Sequence, residues 1–583
     1  MKEKRIFKDI KILLLFVLLG SVCCTPSREL NTDFSNTTGW SYNGKQSTKF
    51  EALEGDIKGN PIGMIAIQGG VFSIGENDEY ITAPRNNSRR NITVNSFYMD
   101  KYEISNMNWR EYEHWVRMMF SQTAPSLVSK VLPDTTVWRE ELAYNEPYLE
   151  NYYTHPAYSF YPVVGVSWNQ AMDFCQWRTD RVNEKILIDG GYITFPNYSL
   201  LTPSKIEEEV KVSWEAANPN YKLVEFKSGK MIQSEGKKAK SKGKKGDAPE
   251  GGENAEAAEG GADEGGEEEI LYHYPYEYVR DQLIFNTEKY FRTDYSPTQG
   301  SRASTKQDAF GATRKISRSD GILLPTYRLP TEAEWEFAAY APIAGEEGLS
   351  VEGKIYPWGY RPRSLDKAVL GKLMANFVRG KGDMMGVSGA LNDGAVITAP
   401  VDAYAPNDFG LFNMAGNVNE WVLDVYKETS NEEISEYNSY RGNVYTQPKV
   451  SADGKIELDS MGGIALEFSE QDDKRNYHDG DTTSRLVTDF PLDTTGLEEG
   501  SFKIDPTDIL APRLSKTCHV YKGGSWRDRV YWLNPTTRRY LEADQSSSTI
   551  GFRCAMSTVG TQLKSTYDGV KNVPERTFKG MSN

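Results

Sequence analysis

Residues 236–269 read GKKAKSKGKKGDAPEGGENAEAAEGGADEGGEEE, a stretch that switches from a basic run to an acidic one and is interleaved with glycine. Such a composition buries too little apolar surface to offset the entropy of ordering the chain, so the segment reads as a solvated loop, the other reading being a partner-binding tail. Any hydrophobic core must therefore be assembled from blocks on either side of it. The loop lies inside a longer interruption from about 183 to 322. A second interruption, about 427–515, is rich in Asp, Ser and Thr but has Tyr, Ile and Phe spaced through it and reads as ordered decoration.

The blocks that remain carry clear local signals. IGMIAIQGGVFSIGENDEY leads into ITVNSFYMDKYEISNMNWREYEHWV: short alternating runs joined at Gly69 and Gly70, then a helix. Ser105 is placed to cap that helix, and Trp109, Tyr112 and Val116 recur at helical spacing on one face. In PVVGVSWNQAMDFCQW, Ser167 and Gln170 form a capping box, and in YRLPTEAEWEFAAYA Thr331 and Glu334 form another. A further block runs from Tyr356 to Asp424 and resumes at Tyr521. The aromatic residues of these helices read as core, because Trp and Tyr at helical period pack against neighbours.

With 583 residues, 38% of them hydrophobic and 12% aromatic, the chain is long enough for a large core and, by length alone, for several domains. The net charge of −15 disfavours nucleic acid as a partner, since a phosphate backbone requires a basic face. The five histidines are scattered without metal-ligand spacing, and no nucleophile elbow, P-loop or dinucleotide fingerprint is present.

The N-terminus, KEKRIFKDIKILLLFVLLGSVCC, has a basic stretch, an apolar run from Ile12 to Leu19 too short for a stable transmembrane helix, and a cysteine pair. It resembles a bacterial lipoprotein signal. Residues 1–24 are read as that signal, with Cys24, or Cys23, as the lipidated residue. The following TPSREL lacks an acidic run of the kind that resembles surface-export signals, which favours the periplasmic face of an outer membrane.

Residues 523–556, GGSWRDRVYWLNPTTRRYLEADQSSSTIGFRCAM, resemble the closing motif of the formylglycine-generating-enzyme (sulfatase-modifying factor) superfamily. The resemblance implies an α+β, irregular and turn-rich fold related to C-type lectins, here over residues 62–557 with the two insertions. Residues 25–61 are then a linker and 558–583 a tail. Active members of the family carry two cysteines that hold copper(I) and activate oxygen. Here those positions are Asp528 and Leu533, and neither a hard carboxylate nor an alkane replaces a soft thiolate. The expectation is no catalytic residue, no copper and no enzyme activity. Asp528 is read as a structural hydrogen-bond acceptor, with general acid–base work as the alternative.

The same resemblance implies two structural calcium sites. The first maps onto Asn376, the Phe377 carbonyl, Asp393 and the Ala395 carbonyl; the second maps onto Asn413, the Gly416 and Val418 carbonyls, and Glu420. Taken alone, Asn and Asp near Gly are more often turn formers, although oxygen-rich side chains suit calcium. Asn419 departs from the family, which usually has Trp there. A Cys175–Cys554 disulfide is also implied, worth about 2–4 kcal/mol at the upper end for so long a loop. The family's second bridge would need cysteines at Ala339 and Arg538 and is absent. Cys518 is left as a buried thiol or, alternatively, a reactive one.

An exported chain of this family with NVNEW at 417–421 resembles the gliding-motility and type IX secretion lipoproteins of Bacteroidota, closer to the GldJ type than to the GldK type. That resemblance implies a lipid-anchored, periplasm-facing outer-membrane scaffold that contacts other secretion components, among them a GldK-type ring lipoprotein. Two alternatives stay open: a carbohydrate- or peptide-binding surface lipoprotein, and an enzyme with a relocated active site.

Overall fold

A computed structural model describes residues 61–75, nearly all of 87–227, 270–291, 320–341, 354–380, 393–426 and 518–559, with small gaps and a few short pieces elsewhere. The expected signal, Cys23 and Cys24, the charged loop 236–269 and most of 427–515 lie outside the described residues. No helix among those described is long and apolar enough to cross a membrane.

Two four-stranded sheets organise the molecule. In the first, β1 (Met64–Ile67) runs antiparallel to β4 (Phe97–Asp100), with Met64 opposite Asp100 and Ile67 opposite Phe97. Between them in sequence, β2 (Gly70–Ile74) and β3 (Arg90–Val94) pair as a separate ribbon. Only glycine fits at the joint, because a Cβ on Gly69 would lie 2.1 Å from the Val94 carbonyl oxygen. The first sheet is completed from distant sequence: β5 (Tyr327–Arg328) pairs with β10 (Ala555–Ser557), which also pairs with β4. The second sheet has the order β8 (Arg539–Glu542), β7 (Cys518–Lys522), β6 (Asn419–Val425), β9 (Ile550–Gly551), with β9 parallel to β6.

Three helices pack against these sheets. Helix α1 (Asn106–Phe120) starts in a reciprocal cap between Ser105 and Asn108 and buries Trp109, Tyr112 and Val116. Trp109 stacks on Phe174 at 5.4 Å between ring centres and meets the edge of Phe552 at 5.8 Å. Helix α2 (Trp168–Asp189), opened by the Ser167–Gln170 box, contributes Phe174 and Cys175 to the same core. It runs on past residue 183, where the insertion was expected to begin. Asn183 is fully buried, receives the Leu324 backbone N–H at 2.9 Å and donates to Thr287 Oγ1 at 3.3 Å.

Helix α3 (Glu332–Tyr340), capped by the Thr331–Glu334 box, is buried on every side. That forces the question of its charges. Glu332 accepts from Arg538 at 2.6 and 2.9 Å and from Lys522 at 3.1 Å, while Glu336 accepts from Lys522 at 2.7 Å. Thus ionic links join α3 to β7 and to the 538 segment. Burial opposes the ionisation of Glu332, yet Arg538 and Lys522 together bring its carboxyl down to about 2.

A group whose folded pKa is depressed adds stability above its unfolded value and loses it as pH falls. For Glu332 that window runs from its ordinary 4.5 down to about 2. Glu332→Gln leaves two buried cations short of charge and should cost about 3–5 kcal/mol in denaturant melts. The variant should also lose less stability than the unmodified protein across that acid window; an equal loss would remove Glu332 as its origin.

Candidate functional site

The loop from Gly523 to Leu533 is bent back on itself by two glycines with left-handed backbone, Gly523 at φ +100° and Gly524 at φ +70°. A Cβ on Gly524 would sit 2.8 Å from the Trp532 carbonyl oxygen. The fold brings Asp528 and Leu533 to this loop but gives them separate settings. Asp528 Oδ1 and Oδ2 each accept from Arg539 at 2.7 Å, and Oδ2 also accepts from Ser525 N at 2.9 Å, Ser525 Oγ at 2.6 Å and Asn419 Nδ2 at 3.2 Å. Burial alone would raise the Asp528 carboxyl, but the hydrogen bonds and charge of Arg539, helped by Ser525 and Asn419, hold it below the ordinary range. A carboxylate held this way is a hydrogen-bond acceptor, not a poised acid or base.

Leu533 is fully buried among Tyr356, Leu373, Ala375, Phe377 and Ala415. Asn419 closes the arrangement: its Oδ1 accepts from Arg539 at 2.5 Å and its Nδ2 donates to the Thr549 carbonyl at 3.1 Å. Arg539 also lies over the rings of Trp532 and Tyr521, at 4.4 and 5.0 Å from their centres. The two unusual residues of the sequence, Asn419 and Asp528, therefore share one guanidinium. Sequence reasoning missed Arg539, and only its place in the TRRY run after the loop hinted at it.

The candidate cation loops abut this segment. Val378 N donates to the Asp528 carbonyl, Trp526 N to the Asn417 carbonyl and Gly416 N to the Gly523 carbonyl, all at 2.8–2.9 Å. In the first loop, Asp393 accepts from Phe377 N at 3.2 Å and from Ala395 N at 3.1 Å, so its carboxylate draws together the two segments that hold the expected ligands. Asn376 donates to the Ile397 carbonyl at 2.7 Å, which orients its amide. An amide oxygen, a carboxylate and neighbouring carbonyls are a donor set that fits calcium.

The second loop is a tight turn. Asn413, Gly416 and Asn417 all have left-handed backbone, at φ +52°, +81° and +67°. A Cβ on Gly416 would press within 2.6 Å of the Asn376 carbonyl oxygen, which keeps the two loops in contact. Glu420, expected as a ligand, is also bonded to buried Arg553: Oε2 accepts from Arg553 Nε at 2.6 Å and Trp335 Nε1 at 2.8 Å, and Oε1 accepts from Arg553 at 2.5 Å. Next to it stands Glu103, which the sequence did not single out. Burial, reinforced by the Glu420 carboxylate, pushes Glu103 up to about 8.

Cys175 and Cys554, expected as a disulfide, are two buried thiols with Sγ atoms 3.5 Å apart. Burial pushes the Cys175 thiol well up. Cys518 is buried as well, with its Sγ 3.4 Å from Glu542 Oε1.

The sequence pattern of the sulfatase-modifying factor enzyme 1-like domain matches residues 49–258 and 292–558, and the chain belongs to that family. It is 37% identical over 112 residues to the formylglycine-generating enzyme of Mus musculus, a match covering 19% of this chain and 26% of that protein. It is likewise 36% identical over 106 residues to the inactive C-alpha-formylglycine-generating enzyme 2 of Bos taurus, covering 17% and 27%. The chain thus spans about a quarter of the length of the curated relatives it matches. Among solved structures, PvdO from Pseudomonas aeruginosa aligns over 85% of this chain and 94% of its own, with TM-score 0.34 and 13% identity.

Asp528→Ala should lower stability by about 1–3 kcal/mol, since it leaves donors of Arg539 and Ser525 unmatched. Leu533→Ala should cost about 2–5 kcal/mol for the cavity it opens. Chemical melts of the two variants check this, and a neutral result for Asp528→Ala would show that Arg539 does not depend on it.

Proposed function

We propose that this chain is a non-enzymatic member of its family, an outer-membrane lipoprotein scaffold facing the periplasm that supports gliding motility and type IX protein secretion. The observation that carries the first half is the state of the catalytic pair: Asp528 is held by Arg539, Asn419 and Ser525, and Leu533 is sealed in an apolar cluster. No thiolate is available there to bind copper(I). A family that includes a protein named as inactive gives this reading a precedent. The second half is supported by the lipoprotein-like N-terminus, by NVNEW and by the resemblance to the GldJ-type lipoproteins, and it implies a GldK-type ring lipoprotein as a contact. In this role the family framework acts as a rigid body that presents surface.

The test is an affinity pull-down of the full-length protein from native outer membrane. Secretion components, a GldK-type lipoprotein among them, should co-purify, and changing Cys23 and Cys24 together to Ser should release the protein from the membrane fraction. Oxidation of a sulfatase-type cysteine peptide by the purified protein, above a heat-killed control, would overturn the reading.

Structural calcium belongs to the same proposal, supported by the grouping of Asn376, Asp393 and their neighbouring carbonyls and by the turn geometry around Asn413. When bound, calcium would supply positive charge to oxygen-rich loops that otherwise repel themselves. Chelation should lower the melting temperature and calcium should restore it, because a ligand that binds only the folded state stabilises it. An unchanged melt would remove calcium from the account.

A further inference from the structure

Glu103 lies just before helix α1 and is 2% exposed. Its Oε2 accepts from Asn413 Nδ2 at 2.9 Å and from Asn417 Nδ2 at 2.8 Å, whereas its Oε1 is buried without a hydrogen-bond partner among the described residues. Asn413 has the matching deficit. Its nitrogen donates to Glu103 and, at 3.1 Å, to the Val401 carbonyl, and its Oδ1 is buried without a partner among the described residues. Turning the amide over would aim its oxygen at a carboxylate and a carbonyl, so the orientation is fixed by its neighbours.

Two side chains that bond each other across 310 residues thus each keep one buried oxygen lacking a donor. Leaving such acceptors dry and unmatched is costly. The cation beside them does not meet the need. Arg553 directs its guanidinium to both oxygens of Glu420, to the Asp100 carbonyl at 3.2 Å and to the Phe412 carbonyl at 2.7 Å. The cluster therefore holds two carboxylates, Glu103 and Glu420, against one guanidinium.

The geometry points to Glu103 as a ligand of the calcium ion at the second loop, acting with the Asn413 amide oxygen and carrying the charge that Glu420 gives to Arg553. This rests on the calcium reading above and adds to it a ligand from the N-terminal block. Oxygen donors of this kind, one carboxylate and one amide, are what a hard divalent cation takes. An ion held there would fasten the segment leading into α1 to the 413–420 loop.

The test uses full-length protein stripped of metal with chelator, unmodified and as Glu103→Gln, titrated calorimetrically with calcium chloride and melted with and without the ion. The unmodified protein should show two binding steps. Glu103→Gln should keep the step belonging to Asn376 and Asp393, weaken the other by about tenfold or more, and shrink the rise in melting temperature given by calcium. Two unchanged steps in the variant would overturn the inference while leaving calcium in place, and would assign a proton to that oxygen instead. Absence of any binding to the unmodified protein would overturn both readings together. Should Glu103→Gln not fold, a crystal structure of the unmodified protein grown with calcium decides: a Glu103 oxygen about 2.3–2.6 Å from the ion supports the inference, and an ion bound without Glu103 ends it.

Discussion

Arg553 is a fully buried guanidinium, and the framework is arranged around keeping its charge matched. Its fork meets Glu420 at the start of β6, its remaining donors reach backbone carbonyls at Asp100 and Phe412, and Trp335 of α3 closes on the same carboxylate. A buried pair of this kind adds little net stability compared with apolar packing, but the loss of either partner strands a charge in a dry interior. Its effect is on geometry. The end of β4, the 412–420 loop, α3 and the segment entering β10 must all take up one relative position for the four contacts to exist. A neighbouring pair repeats the device, as Arg178 of α2 grips both oxygens of Asp100 at 2.6 and 2.8 Å while Asp100 also accepts from Cys554 N at 3.0 Å.

The loop from Gly523 to Leu533 follows a similar logic on a smaller scale. Asp528 alone would place a negative charge in a largely buried setting, and Asn419 alone would bury an amide. Together, with Arg539 between them, each residue satisfies what the other would leave open. The result is a coherent polar network that ties the loop to β6 and β8.

What could be read from the sequence was what depends on neighbours a few residues away. The Ser105, Ser167 and Thr331 caps and the buried stripe of Trp109, Tyr112 and Val116 are local in cause, and the structure carries them as expected. The charges inside the fold are not local. Glu332 looks like an ordinary first-turn acid, favourable near a helix N-terminus, until Lys522 and Arg538 arrive from some 200 residues further on. Glu103 was passed over for the same reason, since Asn413 and Asn417 are more than 300 residues away. The burial of Asn183 is likewise non-local, set by Thr287 and Leu324 more than 100 residues further on.

The placement of β10 bears on how the molecule comes into being. This strand, ending at Ser557, lies between β4 and β5 and is the partner that joins them in the first sheet. Until residues 555–557 have been made, β5 lacks the one edge that it pairs with among the described residues, and the face that packs against α1 and α2 is open. Contacts that span most of the chain close slowly, because the entropy of the intervening loops is met before the contacts repay it. A nascent chain of this topology therefore keeps its first sheet unfinished until residues 555–557 are available to close it.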